Sequence, residues 1–413
     1  MMIGLLHYSG PPTVGGVERT LFHHSLALAD LGHQPRLLVG QGEPFDPRVD
    51  VRRIARLFSG HPDVLRVKAQ LDAGQVTEDF GQLRSGIREE LLREATDLQA
   101  LVVHNVLTLH KNLALTSALH ELQLQGRLPR LIGWHHDFAW ERQGYLSELH
   151  PGEPWDLLRR AWPGVAQVVV SAVQRARLAE LYAVAPESIQ VIPPGIDPAL
   201  SGRWTPQVQE LARQLDLLRA DLLLLLPARI TRRKNIEFAL EVLAALRQEG
   251  GQDARLLVTG PPGPHNPGNL AYLEQLLHSR QSLGLERSAH FLHVDLPEPL
   301  RDLSDATLAS LYLLCDALFF PSRDEGFGIP LLEAAHARLP SFCSDIPVFR
   351  ETGGEHVRYF SLNDRPEQVA ALLRESLASD ARFLQRRRVL RRHTWERLVA
   401  EQLLPLLQGE SDG

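Results

Sequence analysis

Residues 316–337 read DALFFPSRDEGFGIPLLEAAHA. Ala317–Phe320 is a short apolar run that stops at Pro321, the pattern of a buried strand. Pro330 then opens the helical run LLEAAHARL, and proline suits a first helical turn because its missing N–H is not needed there. Between strand and helix lies SRDEGFGI, where Gly326 and Gly328 leave the main chain bare on both sides of Phe327 for close approach by a ligand. Glu325 stands in this loop and Glu333 one turn into the helix, with seven residues between them. A strand, a glycine loop and a helix N-terminus together present free N–H groups and the positive end of a helix dipole to an anion. Two carboxylates beside an anion site ask for a mixed ligand, with phosphate for the dipole and hydroxyls for the acids. A nucleotide sugar carries both.

The pair Glu325 and Glu333, in EGFGIPLLE, resembles the paired-glutamate motif of the retaining nucleotide-sugar glycosyltransferases of GT-B fold, glycosyltransferase family 4. The competing reading is a surface loop with two solvated glutamates. Other segments of the chain weigh against that reading, and they occur in the right order.

At the N-terminus, residues 3–7 read as a strand, and Gly10, Pro11, Pro12, Gly15 and Gly16 make a turn. A helix follows from Val17, with Leu21, Phe22, Leu26 and Ala29 at helical spacing, and then a second strand over 34–39. This order begins a doubly wound nucleotide-binding sheet. Gly10 and Gly15 have Walker-loop spacing, but Gly16 and Val17 stand where the lysine and hydroxyl belong. The dinucleotide fingerprint G-x-G-x-x-G is absent as well. Further strands are expected at 101–104, 131–134, 166–171, 189–192, Leu222–Leu226, 255–259 and 290–294, with surface helices near 63–72 and 84–96. An irregular loop spans 260–268, and helices run from about 366 to 407. Strand ends carry His104-Asn105 and His135-His136-Asp137, and polar residues there line the cleft of an open α/β sheet. After Leu222–Leu226 come Arg229 and Lys234, a basic pair placed to grip a diphosphate. Arg232 and Arg233 read as solvated neighbours.

The resemblance covers nearly the whole chain, weakest over 43–100 and most specific over 222–337. It implies an α/β chain of two Rossmann-like, doubly wound domains facing across a cleft. Residues 1–196 form the acceptor side, with VIPPGID at its close, and 197–385 the donor side. Residues 386–413 return as a final helix to the N-terminal domain. It implies catalytic roles for Arg229 and Lys234 on the leaving diphosphate, for His136 on the transferred sugar and for Glu325 on sugar hydroxyls. Donor contacts are implied at Gly15, Gly16, His135, Gly326, Phe327 and Gly328, at Glu333 for the ribose, and at Val294 for the base through backbone groups. The reaction implied is glycosyl transfer with retention from UDP-glucose, UDP-N-acetylglucosamine or GDP-mannose to a carbohydrate, lipid-linked or small-molecule acceptor. The alternatives are a GT-B epimerase or phosphorylase, or a binding-only homologue. The loop 137–150, with Phe138, Trp140 and Tyr145, serves either as an acceptor loop that stacks on sugar or as core filling.

Composition fits an enzyme of this size and excludes other classes. The chain has 413 residues, enough for two cores, and 44 basic against 50 acidic side chains, a net of −6. That balance gives no electrostatic basis for binding nucleic acid, and it leaves peripheral membrane contact open. Cys315 and Cys343 have neither metal spacing nor a disulfide framework, as expected in a reducing cytoplasm. No two aspartates are separated by a single residue, so no Asp-x-Asp metal motif exists, and neither cofactor nor metal is expected. The N-terminal apolar run has no positive leader and reads as a strand rather than a signal peptide.

Overall fold

The computed structural model describes residues 1–264 and 266–409; His265, in the loop 260–268, and residues 410–413 lie outside the described residues. The chain divides into two units, Met1–Ile196 with His393–Gly413, and Asp197–Arg392.

In the first unit, β1 (Met2–Ser9), β2 (Gln34–Gln41), β3 (Asp50–Arg53), β4 (Ala100–His104), β5 (Arg130–His135), β6 (Ala166–Val169) and β7 (Ile189–Val191) make one parallel sheet. Its order is β3-β2-β1-β4-β5-β6-β7. In the second, β8 (Leu222–Leu226), β9 (Ala254–Val258), β10 (Ala289–Phe291), β11 (Ala317–Phe320), β12 (Ser341–Ser344) and β13 (Arg358–Phe360) run in the order β10-β9-β8-β11-β12-β13, again all parallel. Both sheets are doubly wound and Rossmann-like, with the order reversing beside the first strand. Central strands such as LLLLL at β8 and ALFF at β11 are wholly buried because helices cover both faces of a parallel sheet. A sheet of this kind binds ligands outside the carboxyl ends of its strands, where the order reverses. In the first unit that point lies between β1 and β4, and in the second between β8 and β11.

The strands expected at 166–171, 189–192 and 290–294 end early, at Val169, Val191 and Phe291. The run 290–294 leaves the sheet at Phe291, and Leu292–Asp295 turns into a helix. Asp295 causes the turn: its carboxylate accepts the Phe291 N–H at 2.8 Å and pairs with Arg280 at 2.7 Å. Val294 therefore stands on a helical turn, 40% exposed, rather than at a strand end.

The second unit keeps the helix Ala381–Arg392, so the residues grouped with the first unit begin at His393 rather than Arg386. From Trp395 to Gln408 the chain is helical, with a π-turn over Val399–Leu403. Leu398, Val399, Leu403 and Leu406 are buried beside Ile3, Leu5, Leu21 and Leu28 of the first unit's core. Each leucine so buried is worth about 1.5–3 kcal/mol over leaving it in water. Cys315 and Cys343 are free, buried thiols. Among the described residues no helix is long and apolar enough to cross a membrane.

Candidate active site

In the second unit the two loops that flank the strand reversal carry the charged residues. After β8, Arg229 is exposed and makes no ion pair among the described residues. A short 3-10 turn, Arg232–Lys234, follows and ends at Asn235 with φ 54°, the left-handed conformation that asparagine tolerates. The Asn235 amide oxygen accepts from Arg323 at 2.8 Å and so ties this loop to the one after β11.

The turn delivers Lys234 to Glu325. The ammonium and the carboxylate are in direct contact, with side chains only 10% and 7% exposed. Ser322 donates to the same carboxylate oxygen at 2.8 Å, and Arg233 donates to the other at 3.0 Å. Lys234 also stands 4.8 Å over the Phe320 ring. Burial holds the Lys234 pKa down, and the Glu325 carboxylate opposes that shift. Arg233, which the sequence suggests is merely solvated, is thus a member of the cluster.

Beyond Glu325, Gly328 has φ 91°, and a Cβ there would meet the Phe349 ring at 2.9 Å. Only glycine suits both the conformation and the space. No side chain caps the helix Ile329–His336 that follows; Pro330 has no N–H and the Leu331 N–H donates to the Gly328 carbonyl at 2.9 Å, so the first turn offers a ligand the Ile329 N–H and the positive end of the helix dipole. Gly326 is open on its Cβ side and Phe327 is half exposed. Glu333, half-buried on this helix, accepts a 2.5 Å hydrogen bond from the Tyr312 hydroxyl. Tyr312 fixes where Glu333 points, and no local sequence signal identifies it. The structure thus brings Lys234, Arg233 and Glu325 together and leaves Arg229 and Glu333 outside that contact.

In the first unit, the loop after β1 leads through Gly15 into the helix Gly16–Asp30. Glu18 folds back over Gly15 and accepts from Ser9 at 2.6 Å. Gly16 is open on its Cβ side. At the end of β4, Asn105 adopts φ 61° and accepts the N–H groups of His136 and Asp137 at 2.9 and 3.1 Å. Gln174 donates to the His136 carbonyl at 2.9 Å. The backbone of His136 is therefore clamped, whereas its Nε2 has no partner among the described residues. Burial, reinforced by His7, pushes its pKa down to about 4, so the ring is neutral near pH 7.

His135 needs correction as a donor contact. His135 is the last residue of β5, and His136 stands in the bend beyond it. His135 is fully buried, with its ring nitrogens 3.2 Å from Thr108 Oγ1 and 2.7 Å from Gln167 Oε1. It holds β5 to its neighbours. Among the candidate aromatics, Phe138 is buried, Trp140 donates to the Trp155 carbonyl, and Tyr145 packs against His110. Beside them a cavity of about 690 Å³ is lined by Asp137, Glu141, Arg142, Gln174, Arg177 and Glu180, among others. Among the described residues, no three His, Cys, Asp or Glu side chains gather as a metal-ligand set.

Two family models match consecutive parts of the chain: glycosyltransferase family 4 over residues 14–200 and glycosyl transferases group 1 over residues 208–393. A 140-residue stretch is 38% identical to the serotype-specific mannosyltransferase WbdA of Escherichia coli, covering 33% of this chain and 15% of that protein. This chain thus spans only a small part of that relative. The MMP alpha-(1->4)-mannosyltransferase of Mycolicibacterium hassiacum is 25% identical over 97% of this chain and 96% of its own. The crystal structure of WaaG, a glycosyltransferase involved in lipopolysaccharide biosynthesis, aligns over 98% of both chains at 17% identity with a TM-score of 0.33.

Proposed function

This chain belongs to the group 1 and family 4 glycosyltransferases of GT-B fold, and from that premise we propose that it transfers mannose from GDP-mannose with retention of configuration. Relatives named as mannosyltransferases favour mannose over the glucose and N-acetylglucosamine donors that the motifs equally allow. The observation that carries the proposal is the pairing of an unengaged Arg229 with the Lys234–Glu325–Arg233 cluster, on the two loops that flank the strand reversal of the second sheet.

The bond between the anomeric carbon and the diphosphate oxygen breaks, leaving an oxocarbenium-like centre. Arg229, Lys234 and the uncapped helix N-terminus near Phe327 stabilise the departing negative charge, and their fixed positions leave little to reorganise during reaction. Lys234 is held in advance by Glu325. Glu325 takes sugar hydroxyls, and Glu333, aimed by Tyr312, takes the ribose. The acceptor oxygen bonds to the anomeric carbon on the same face and its proton passes to the leaving phosphate. In the first unit the reading gives His136 Nε2 a hydrogen bond to the transferred sugar, and Gly15 and Gly16 a close backbone approach. The cavity beside Asp137 and Arg142 would receive a polar, hydroxyl-rich acceptor. Fixed cations in place of a divalent ion make the reaction metal-independent in this account. Two buried free thiols suit a reducing, cytoplasmic setting.

The test is a thermal-shift comparison of GDP-mannose, UDP-glucose and UDP-N-acetylglucosamine. A donor present at a hundred times its Kd stabilises by about 2.7 kcal/mol. GDP-mannose should shift the transition most, and a larger shift with either UDP-sugar would replace the proposed donor.

A further inference from the structure

The helix Ala381–Arg392, ARFLQRRRVLRR, holds six arginines in twelve residues of a chain whose net charge is −6. Part of that charge is structural. Arg386 and Arg387 both reach the fully buried carboxylate of Asp316, which also accepts the Leu223 N–H at 2.8 Å. Arg387 donates to the Ala220 carbonyl at 2.7 Å, and Arg391 pairs with Asp221. These contacts fasten the helix to the sheet at the start of β8.

The remaining charge is not accounted for by packing. A cavity of about 410 Å³ opens beside this helix, lined by Arg387, Arg388, Arg391 and Arg392 among others, with Asp221 the one carboxylate among the described lining residues. Arg388 and Arg392 are exposed, one helical turn apart, and make no ion pair among the described residues. Arg387 is 4% exposed, and its Nε has no acceptor. A buried guanidinium N–H without a partner is expensive to leave so, and Arg387 is one of the residues that line this cavity. Burial also draws the Arg387 pKa down, to about 10, which reports how poorly its charge is solvated. Guanidinium forks match the tetrahedral oxygens of phosphate, several at once. The cavity lies at the amino end of β8, whereas Arg229 follows its carboxyl end, so roughly 13 Å of strand separates this place from the donor loops.

We propose that this arginine-lined cavity is a second anion site, which binds a phosphate-bearing ligand independently of the donor. The phosphate belongs either to a soluble compound or to a lipid headgroup. In the lipid case the site would hold the second unit against an anionic bilayer.

The variant R388Q/R392Q removes two exposed charges and leaves the Asp316 anchorage intact, so the chain folds as before. Inorganic pyrophosphate is titrated calorimetrically into the full chain, the variant, and each of these carrying Arg229→Ala to weaken donor-site binding. In parallel, the full chain and the variant are sedimented with vesicles of phosphatidylglycerol and phosphatidylcholine. At least a tenfold loss of pyrophosphate affinity in the variant, whatever residue 229 is, identifies a soluble phosphate ligand. A tenfold loss confined to the vesicles identifies a lipid phosphate. If neither probe distinguishes the variant from the parent chain, the cavity is structural only and the proposal is wrong.

Discussion

Arg229→Ala and Lys234→Ala should lower the transfer rate alike and stability very differently. Both cations are assigned to the leaving diphosphate, and loss of one preorganised partner of this kind costs about 10²–10³ in rate, or about 2.7–4 kcal/mol of transition-state stabilisation. Arg229 is exposed and makes no ion pair among the described residues, so its removal should change folding stability by no more than about 0.5 kcal/mol. Lys234 is buried against Glu325. Breaking a buried pair by removing one partner costs about 3–5 kcal/mol, because the surviving charge is left uncompensated. Here Glu325 keeps Ser322 at 2.8 Å and Arg233 at 3.0 Å, which places the loss at or below about 3 kcal/mol. Urea unfolding of both variants gives the stability difference, and initial rates with GDP-mannose give the other half. Equal stabilities for the two variants, or near-parental rates in both, would refute the reasoning.

Other outcomes follow from the same geometry. Tyr312→Phe removes the hydrogen bond that aims Glu333, so affinity for the free nucleoside diphosphate should fall by about tenfold, a charged-acceptor bond being worth about 1.5–3 kcal/mol; calorimetry showing no change would remove Tyr312 from the site. Glu325→Gln should weaken only the sugar-bearing donor, whereas Glu333→Gln should weaken nucleoside diphosphate and donor together, and equal losses for both ligands in each variant would end that division of roles. Activity should survive EDTA, with magnesium or manganese altering it only modestly; complete loss restored by one divalent ion would contradict catalysis by fixed cations. Acid should destabilise the first unit. His24, with a pKa near 3, and His135 and His136, near 4, are neutral when folded because burial disfavours their charged form. Their unfolded values lie near 6.5, so between those limits the unfolded chain holds more protons and stability falls as pH falls. Each group contributes about 1.4 kcal/mol per pH unit over that window and nothing above it. Urea midpoints that stay level from pH 7 to pH 5 would show that these rings are not desolvated as described.

Much of the fold was legible because buried parallel strands advertise themselves. LLLLL and ALFF sit on their strands without a residue's error, since strands covered on both faces are continuously apolar. β3, DVRR, escaped notice because an edge strand carries charge, and SFCS and RYF at β12 and β13 are too short and polar to stand out. The loops proposed to hold the donor stand out in the sequence through their order after β8 and β11. The contact of Lys234 with Glu325 joins residues 91 apart, and no local pattern reports it. The hold of Asn105 on His136 and that of Tyr312 on Glu333 are hidden for the same reason: each acts on a residue distant in sequence. His135 ends β5 and His136 lies in the bend beyond it, a boundary that no local pattern in the sequence marks. Which one goes inward is decided by Thr108 and Gln167, on other segments of the chain.

The central claim is that the loops after β8 and β11 hold the donor's diphosphate. Calorimetric titration of GDP into the parent chain and into Arg229→Ala, in EDTA, tests it most directly. The account predicts binding to the parent chain without added metal, and at least tenfold weaker binding to the variant at unchanged folding stability. Equal affinity in the two chains would place the diphosphate elsewhere and contradict it.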